Sequence, residues 1–408
     1  MSYYSLININ NNINEHNLKI KFVSPNDHDI FISKTMTSIL NNTKKHIETH
    51  CDEWNNVKKL TNPYEYIHTQ IPNKSSSISK IKPLSRAFFK LIEICKTLEI
   101  FDEYEGKPIN TFHLAEGPGG FIEAVTYMRF NKNDRYYGMT LIDDDNEDIP
   151  GWKKTDAFLK KNPNVIIETG KDKTGNLYSP KNYKYCVEKY KHSMDFITGD
   201  GGFDFSINYN KQEALALRLI ITQIAYAMVM QSEGGTFVLK VFDQFTHGSM
   251  DVLYFLSSFY SKTYIFKPNT SRIANSERYI VCQGYQPPQT PNIFHKFFNI
   301  LQVLNNINFK DTFIHRFLDI KINYYFIKNV EEINAIIGQK QISNILSTLR
   351  IIQNKEKKGE KINAIKNKNI KNCIKWCVKY NIPHNKYGIS TNIFMSNKQT
   401  NYFTDAKQ

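Results

Sequence analysis

Lys240 stands in the run GGTFVLKVFD, with Phe237, Val238, Leu239, Val241 and Phe242 around it. A charged, unpaired lysine is costly in such company. Three explanations compete: an edge position reaching solvent, half of a structural ion pair, or a reaction that uses the amine. Three more charged residues occupy comparable places. Lys90 lies in LSRAFFKLIEI, on an amphipathic helix pattern. Asp200 closes an apolar run in ITGDGGFDFS, beside glycines, and Glu277 comes just before another such run in KPNTSRIANSERYIVCQGY. If the runs are strands of an open α/β sheet, ligands gather at their carboxyl ends, so Asp200 and Lys240 converge there.

The segment HLAEGPGGFIEAV (113–125) supplies a partner for that edge. A strand leads into Glu116, Gly117, Pro118, Gly119, Gly120 and Phe121, and a helix follows at once. Glycines at a strand-to-helix turn permit positive φ and close approach of a ligand to the backbone. The loop lacks the Gly-Lys-Ser/Thr of a Walker sequence and the spacing of a dinucleotide-binding fingerprint. On the residues alone, a tight structural turn explains it as well.

These positions need a frame. Seven runs read as strands: TFHLA (111–115), YYGMT (136–140), NVIIET (164–169), MDFIT (194–198), GTFVLKVF (235–242), TYIF (263–266) and RYIVCQG (278–284). Helical patterns alternate with them, including one over roughly 211–231, which is the signature of βαβ units and a mainly parallel sheet. Three zones follow: an Asn-, Lys- and Ser-rich extension at 1–80, the α/β region at 81–290, and a mainly helical region rich in Lys, Asn and Ile at 291–408. Between 355 and 386 the last zone has ten lysines against two glutamates, either a solvated helix face or a surface for a polyanion.

The whole chain of 408 residues has 53 Lys and Arg against 39 Asp and Glu, a net charge of +14. That surplus suits a phosphate-rich partner. Hydrophobic residues at 41% exclude wholesale disorder. The six cysteines are scattered; Cys373 and Cys377 are close, but no neighbouring His or Cys pair completes a zinc site. The polar start MSYYSLININNNINEHN lacks the apolar core of a signal peptide. The apolar stretch 214–230 carries Arg218, Thr222 and Gln223 and reads as too short and polar to span a membrane. A soluble intracellular protein, of cytoplasm or nucleus, is the expectation.

The phrases SRAFFKLIEI, AEGPGGF, GDGGFD, FVLKVF and SRIANSERYIVC, in this order over residues 81–286, resemble the FtsJ-like (RrmJ-type) RNA ribose 2'-O-methyltransferases. The resemblance implies a Rossmann-like methyltransferase fold, with a seven-stranded, mainly parallel sheet, helices on both faces and a helical, basic C-terminal region. It also implies S-adenosylmethionine as cofactor, cradled by Glu116–Phe121. A carboxylate among 143–145, such as Asp143, is expected at the cofactor ribose, and Asp172 and Asn176 at the adenosine. Lys90, Asp200, Lys240 and Glu277 match the family's Lys-Asp-Lys-Glu tetrad. A ribose hydroxyl is a poor nucleophile until its proton is removed. A lysine can take that proton if its pKa falls from ~10.4 toward neutrality, roughly 3 units or ~4 kcal/mol. Burial and Lys90 push that way, whereas Asp200 and Glu277 push back, so the carboxylates orient and balance charge. Lys240 is assigned as base, Asp200 as its partner, and Lys90 and Glu277 as supports. No metal is required, because a sulfonium methyl is already electrophilic. GDGGF followed by SRIANSERYIVC is most similar to the mRNA cap-1 branch of eukaryotes and large DNA viruses. This implies a capped 5' end as substrate, capping or transcription proteins as partners, and a virion location if viral. Methylation of internal ribose in rRNA or tRNA, or a non-catalytic subunit binding cofactor and RNA, are the alternatives. A cap pocket needs aromatic faces, and Tyr64, Tyr66, Phe203, Phe205 and Phe245 are the candidates.

Overall fold

The computed structural model describes residues 2–9, 13–27, 29–143, 145–146, 149–202, 211–289, 292–309, 311–354 and 359–386. In chain order the elements are β1 (Tyr3–Ser5), β2 (Leu18–Val23), α1 (Lys34–Glu48), α2 (Cys51–Leu60), α3 (Ala87–Thr97), β3 (Asn110–Leu114), α4 (Gly120–Arg129) and β4 (Arg135–Met139). There follow α5 (Asp156–Lys161), β5 (Val165–Ile167), α6 (Pro180–Tyr190), β6 (Met194–Gly199), α7 (Gln212–Met230), β7 (Gln231–Val241), α8 (His247–Phe259), β8 (Tyr260–Phe266) and β9 (Arg278–Tyr285). The last elements are α9 (Asn292–Asn306), β10 (Phe313–Leu318), α10 (Tyr324–Gln353) and α11 (Gly359–Lys379).

All seven expected strands form, and the N-terminal extension adds an eighth. The sheet order is β1-β8-β9-β7-β6-β3-β4-β5. Strands β5, β4, β3, β6 and β7 pair parallel, while β9, β8 and β1 join through antiparallel ladders. The strand order reverses around β3, with β4 on one side and β6 on the other, which opens a crevice at their carboxyl ends. A separate two-stranded sheet pairs β2 with β10, so residues of the first and third zones share a ladder. The third zone is mainly helical, with β10 as its strand.

Alternation along the strands sorts the core onto two faces. Phe237, Leu239 and Val241 of β7 pack with α6, α7, α8 and α9. Val238 packs with α3, α4 and α11. By composition and its 19 residues, α7 is long and apolar enough to cross a membrane, unlike the sequence expectation for 214–230. It is nearly all buried here, as the helix under the sheet. Of the six cysteines five are buried thiols and Cys51 is exposed.

Candidate active site

After β3 the chain turns through Ala115 at φ 53° and Gly119 at φ 106°, the second a conformation that favours glycine. A Cβ on Gly120 would stand 2.1 Å from Ser85 Oγ, and one on Gly117 2.7 Å from the Gly151 carbonyl oxygen. These glycines therefore let the loop lie against the segment before α3 and the turn after β4. Glu116 is buried and caps α4, its Oε1 accepting from the Phe121 and Ile122 amides at 2.6 and 3.0 Å. Its Oε2 is buried with no hydrogen-bond partner among the described residues. Burial pushes this carboxyl up to about 8, against the pull of the amides, and the Asp200 charge adds to the rise. An unsatisfied buried acceptor costs on the order of 1–3 kcal/mol. A ligand bringing a cation or N–H donor to the loop would relieve that cost.

The other expected cofactor contacts lie on loops beyond β4 and β5. Asp143 is half-buried and accepts from the Asp145 amide at 3.2 Å. Asp172 accepts from the Thr174 amide and hydroxyl, the Ser179 hydroxyl and Asn182 Nδ2, at 2.6–3.1 Å. Desolvation raises this carboxyl, but those hydrogen bonds outweigh it and hold the group down to about 2. Asn176 Oδ1 accepts from the Tyr178 amide at 2.9 Å. Asp172 and Asn176 thus fold their own loop, whose Gly175 lies so close to the Thr140 carbonyl that a Cβ would meet it at 1.9 Å.

The four tetrad residues come together as two ion pairs. Lys240 has the parity of Val238, so it leaves β7 toward the face that carries α3. Its Nζ lies 2.6 Å from the Asp200 carbonyl oxygen and 3.3 Å from Asp200 Oδ1. Lys90, buried on α3, holds both oxygens of Glu277 at 2.7 and 2.8 Å. Tyr279 links the pairs, donating its hydroxyl to Asp200 Oδ1 at 3.0 Å while Lys90 Nζ lies 6.0 Å from its ring centre. Burial lowers the Lys90 pKa, opposed by Glu277. Burial would raise Glu277, but Lys90 and then Lys240 hold it well below the carboxylate range. Gly202 makes room for Lys240: a Cβ there would stand 3.0 Å from its Nζ.

Several residues that position the tetrad are not evident from the sequence. Glu93, one turn beyond Lys90, accepts from the amides and side chains of Asn269 and Thr270 and from Trp376 Nε1 of α11. Glu65, fully buried in a short turn of 3₁₀ helix after α2, takes Arg272 through both oxygens at 2.6 and 3.1 Å. Lys267 donates to the carbonyls of Asn275 and Glu277, and burial pushes its ammonium down to about 7. All three clamp the loop 268–277 that delivers Glu277. The phrases KLIEI and SRIANSER display Glu93 and Arg272, but nothing in the sequence pairs them with Trp376 or Glu65.

Lys240 and Glu277 line a cavity of about 300 Å³. Lys44, Trp54 and Lys58 of α1 and α2 form its outer wall, with Gly202, Gln212, Phe242 and Gln341 among the other lining residues. Lys44 is itself buried against Asp243 at 3.2 Å. Of the aromatic candidates, Tyr66 and Phe245 are buried in core clusters, and Tyr64 lines a different cavity, beyond Lys267. Phe203 and Phe205 lie outside the described residues. Trp54, which the sequence did not single out, lines the tetrad's cavity beside Phe242 and is itself largely buried in a core cluster.

Residues 83–285 match the FtsJ-like methyltransferase family. The chain is 28% identical over 275 residues to cap-specific mRNA (nucleoside-2'-O-)-methyltransferase 2 of Drosophila melanogaster, covering 60% of this chain and 38% of that one. It is 30% identical to cap-specific mRNA (nucleoside-2'-O-)-methyltransferase 1A of Caenorhabditis briggsae (60% and 28%). It is 29% identical to a protein of the same organism named inactive cap-specific mRNA (nucleoside-2'-O-)-methyltransferase 1B (60% and 29%). The chain spans less than two fifths of the length of these curated relatives.

Proposed function

Given that the chain carries an FtsJ-like methyltransferase domain over residues 83–285, we propose that it transfers a methyl group from S-adenosylmethionine to the ribose 2'-hydroxyl of the first transcribed nucleotide of capped mRNA. Overall likeness does not decide between activity and its loss, since a relative named inactive is as similar as the others. The observation that carries the proposal is the pair of contacts Lys240–Asp200 and Lys90–Glu277, joined by Tyr279, whose ring lies 5.9 Å from that of Phe121 in the glycine loop.

The residues present fit the cofactor. The orphan Oε2 of buried Glu116 is an acceptor for an ammonium group, and the amino end of a bound amino-acid moiety supplies one. When bound, the cofactor supplies an electrophilic methyl on sulfur. Lys240 takes the proton of the ribose hydroxyl as that oxygen attacks, and Asp200 holds the amine in place. Lys90, fixed by Glu277, adds a buried positive charge that stabilises developing negative charge on the oxygen. Lys58, half-exposed at the cavity, supplies positive charge for the phosphates, and Trp54 lines the same cavity.

The test is methyl transfer to transcripts of one sequence, capped and uncapped, with nuclease mapping of the modified residue. Methylation confined to the first nucleotide of the capped RNA is expected. Equal modification of internal positions in both would transfer the reading to rRNA or tRNA substrates. Cofactor and RNA binding without any transfer would make the chain a non-catalytic subunit.

A further inference from the structure

Away from the tetrad, three metal-binding side chains from distant parts of the sequence meet. Asp29 precedes α1, His247 opens α8 and His315 lies on β10, and one ligand atom from each falls within 4.8 Å of the others. None of the three lines the catalytic cavity. The His315 and His247 rings are 5.0 Å apart, and His315 Nδ1 lies 3.9 Å from Asp29 Oδ1. His247 is held in place by stacking on Phe31 at 3.7 Å between ring centres. Its Nδ1 is nevertheless buried with no hydrogen-bond partner among the described residues. Arg316, next to His315 in the chain, does not compete for these ligands, because Asp251 engages it through both oxygens at 2.8 and 2.9 Å.

We propose that Asp29, His247 and His315 bind a zinc-type divalent cation that fastens the N-terminal extension to the methyltransferase domain. Two imidazoles and one carboxylate are a donor set that zinc accepts, with a fourth position left for water. Tetrahedral zinc at ~2.0–2.1 Å from nitrogen needs ligand atoms about 3.3 Å apart. Asp29 is exposed and His315 half-exposed, so side-chain rotation closes the remaining gap while His247 stays in its stack. The site has a mechanical consequence. The Phe31 and Ile32 amides already donate to the Phe245 carbonyl at 2.8 and 3.1 Å, just before His247. The chain then enters α1 and α2, which carry Lys44, Trp54 and Lys58 to the cavity. A metal at this corner therefore sets the pose of the wall that faces the RNA.

The full-length chain, stripped with a chelator and titrated with zinc chloride in a calorimeter, tests this without reference to methyl transfer. One equivalent is expected to bind, with a higher melting temperature in zinc than in chelator. Cobalt substitution is expected to give the visible absorption of a four-coordinate site. Asp29→Asn and His315→Gln, both at accessible positions where folding is not at stake, are expected to weaken zinc binding at least tenfold, as is His247→Gln. Zinc binding that persists unchanged in all three variants, or none in the parent, overturns the proposal. A parent that binds zinc through these residues but transfers no methyl group would sink the proposed reaction and leave this site standing.

Discussion

Glu116 and Glu277 are both buried carboxylates at the carboxyl edge of one sheet, and they are secured in opposite ways. Glu116 closes a short loop on itself, its partners the amides of residues five and six positions later. Glu277 meets Lys90, 187 positions earlier, on a loop that Glu65, Glu93 and Lys267 clamp from other elements. The cofactor side is thus a local device that any chain folding this strand-turn-helix would have. The substrate side is a long-range assembly, and it draws on the first and third zones. One carboxylate is held by its own turn, whereas the other depends on residues from all three zones.

The largest expected effect separates the two sides. Lys240→Ala should keep cofactor affinity while methyl transfer falls by about 10²–10⁴, the usual range for loss of a general base. Lys240→Arg should do no better, since a guanidinium keeps its proton near neutral pH. Single-turnover transfer measured alongside calorimetric binding of the cofactor checks both statements. Activity near the parent level in either variant would remove Lys240 from the role of base.

Next comes a clamp that the sequence hid. In Glu65, burial would raise the carboxyl, but the two-pronged Arg272 outweighs it and holds it to about 2, against 4.5 for a free glutamate. A lowered folded-state pKa means that the stabilisation is full above about pH 4.5 and disappears as pH falls toward 2. The shift corresponds to about 3 kcal/mol at 1.36 kcal/mol per unit. Glu65→Gln leaves Arg272 without its charge partner, and the expected loss at pH 7 is ~3–5 kcal/mol. Denaturant melts between pH 2 and 7 should show the variant's curve flatter than the parent's below pH 4.5. Parallel curves would show that the pair does not carry this stability.

These two outcomes bear on what could be read in advance. The seven strands and the glycine loop were legible because alternation and turn chemistry are local properties, whereas Lys90, Asp200, Lys240 and Glu277 were grouped through a resemblance of short motifs. The same was not true of β1 at the sheet edge, the β2–β10 ladder or the partners of Glu65 and Glu93. Tyr3–Ser5 is three residues long, and its pairing with β8 is a matter of contact rather than pattern. Trp54 sits in the polar run WNNVKKL, and no feature of that run marks it as a cavity wall. Asp172 was chosen for its place after β5, yet its hydrogen bonds all serve its own loop.

A smaller effect tests the self-contained side. If the ammonium of the cofactor pairs with Glu116, binding ionises a carboxyl whose free value is about 8. Cofactor binding at pH 7 should then release a proton, and affinity should rise with pH until it levels off above about 8. Calorimetry in buffers of different ionisation enthalpy reads the proton directly. Glu116→Gln should abolish the release and weaken binding about tenfold, worth ~1.4 kcal/mol. The apo variant should gain stability over the parent progressively from about pH 4.5 and in full above about 8, because the parent keeps a buried acid whose unfolded form ionises at 4.5. Proton uptake on binding would contradict the assignment.

The smallest expected effect lies on α11, where one helix has two faces with different tasks. Cys373, Trp376 and Cys377 are buried in the core beneath α3, and Trp376 reaches Glu93. Lys368, Lys371 and Lys375 are exposed and Lys366 half-exposed, so the inner face touches the tetrad's supports and the outer face does not. Replacing these four lysines by Gln should weaken RNA binding while sparing cofactor affinity. The slope of log affinity against log salt should flatten by up to ~0.7 for each phosphate of single-stranded RNA that the variant no longer neutralises. The weakening should hardly depend on RNA sequence, because binding to phosphates positions the chain without specifying a base. Trp376→Phe, which removes the donor to Glu93 from the inner face, should instead lower the transfer rate with the salt slope intact. A quadruple variant with an unaltered slope would leave the outer face of α11 as a solvated surface and confine RNA recognition to the wall built by α1 and α2.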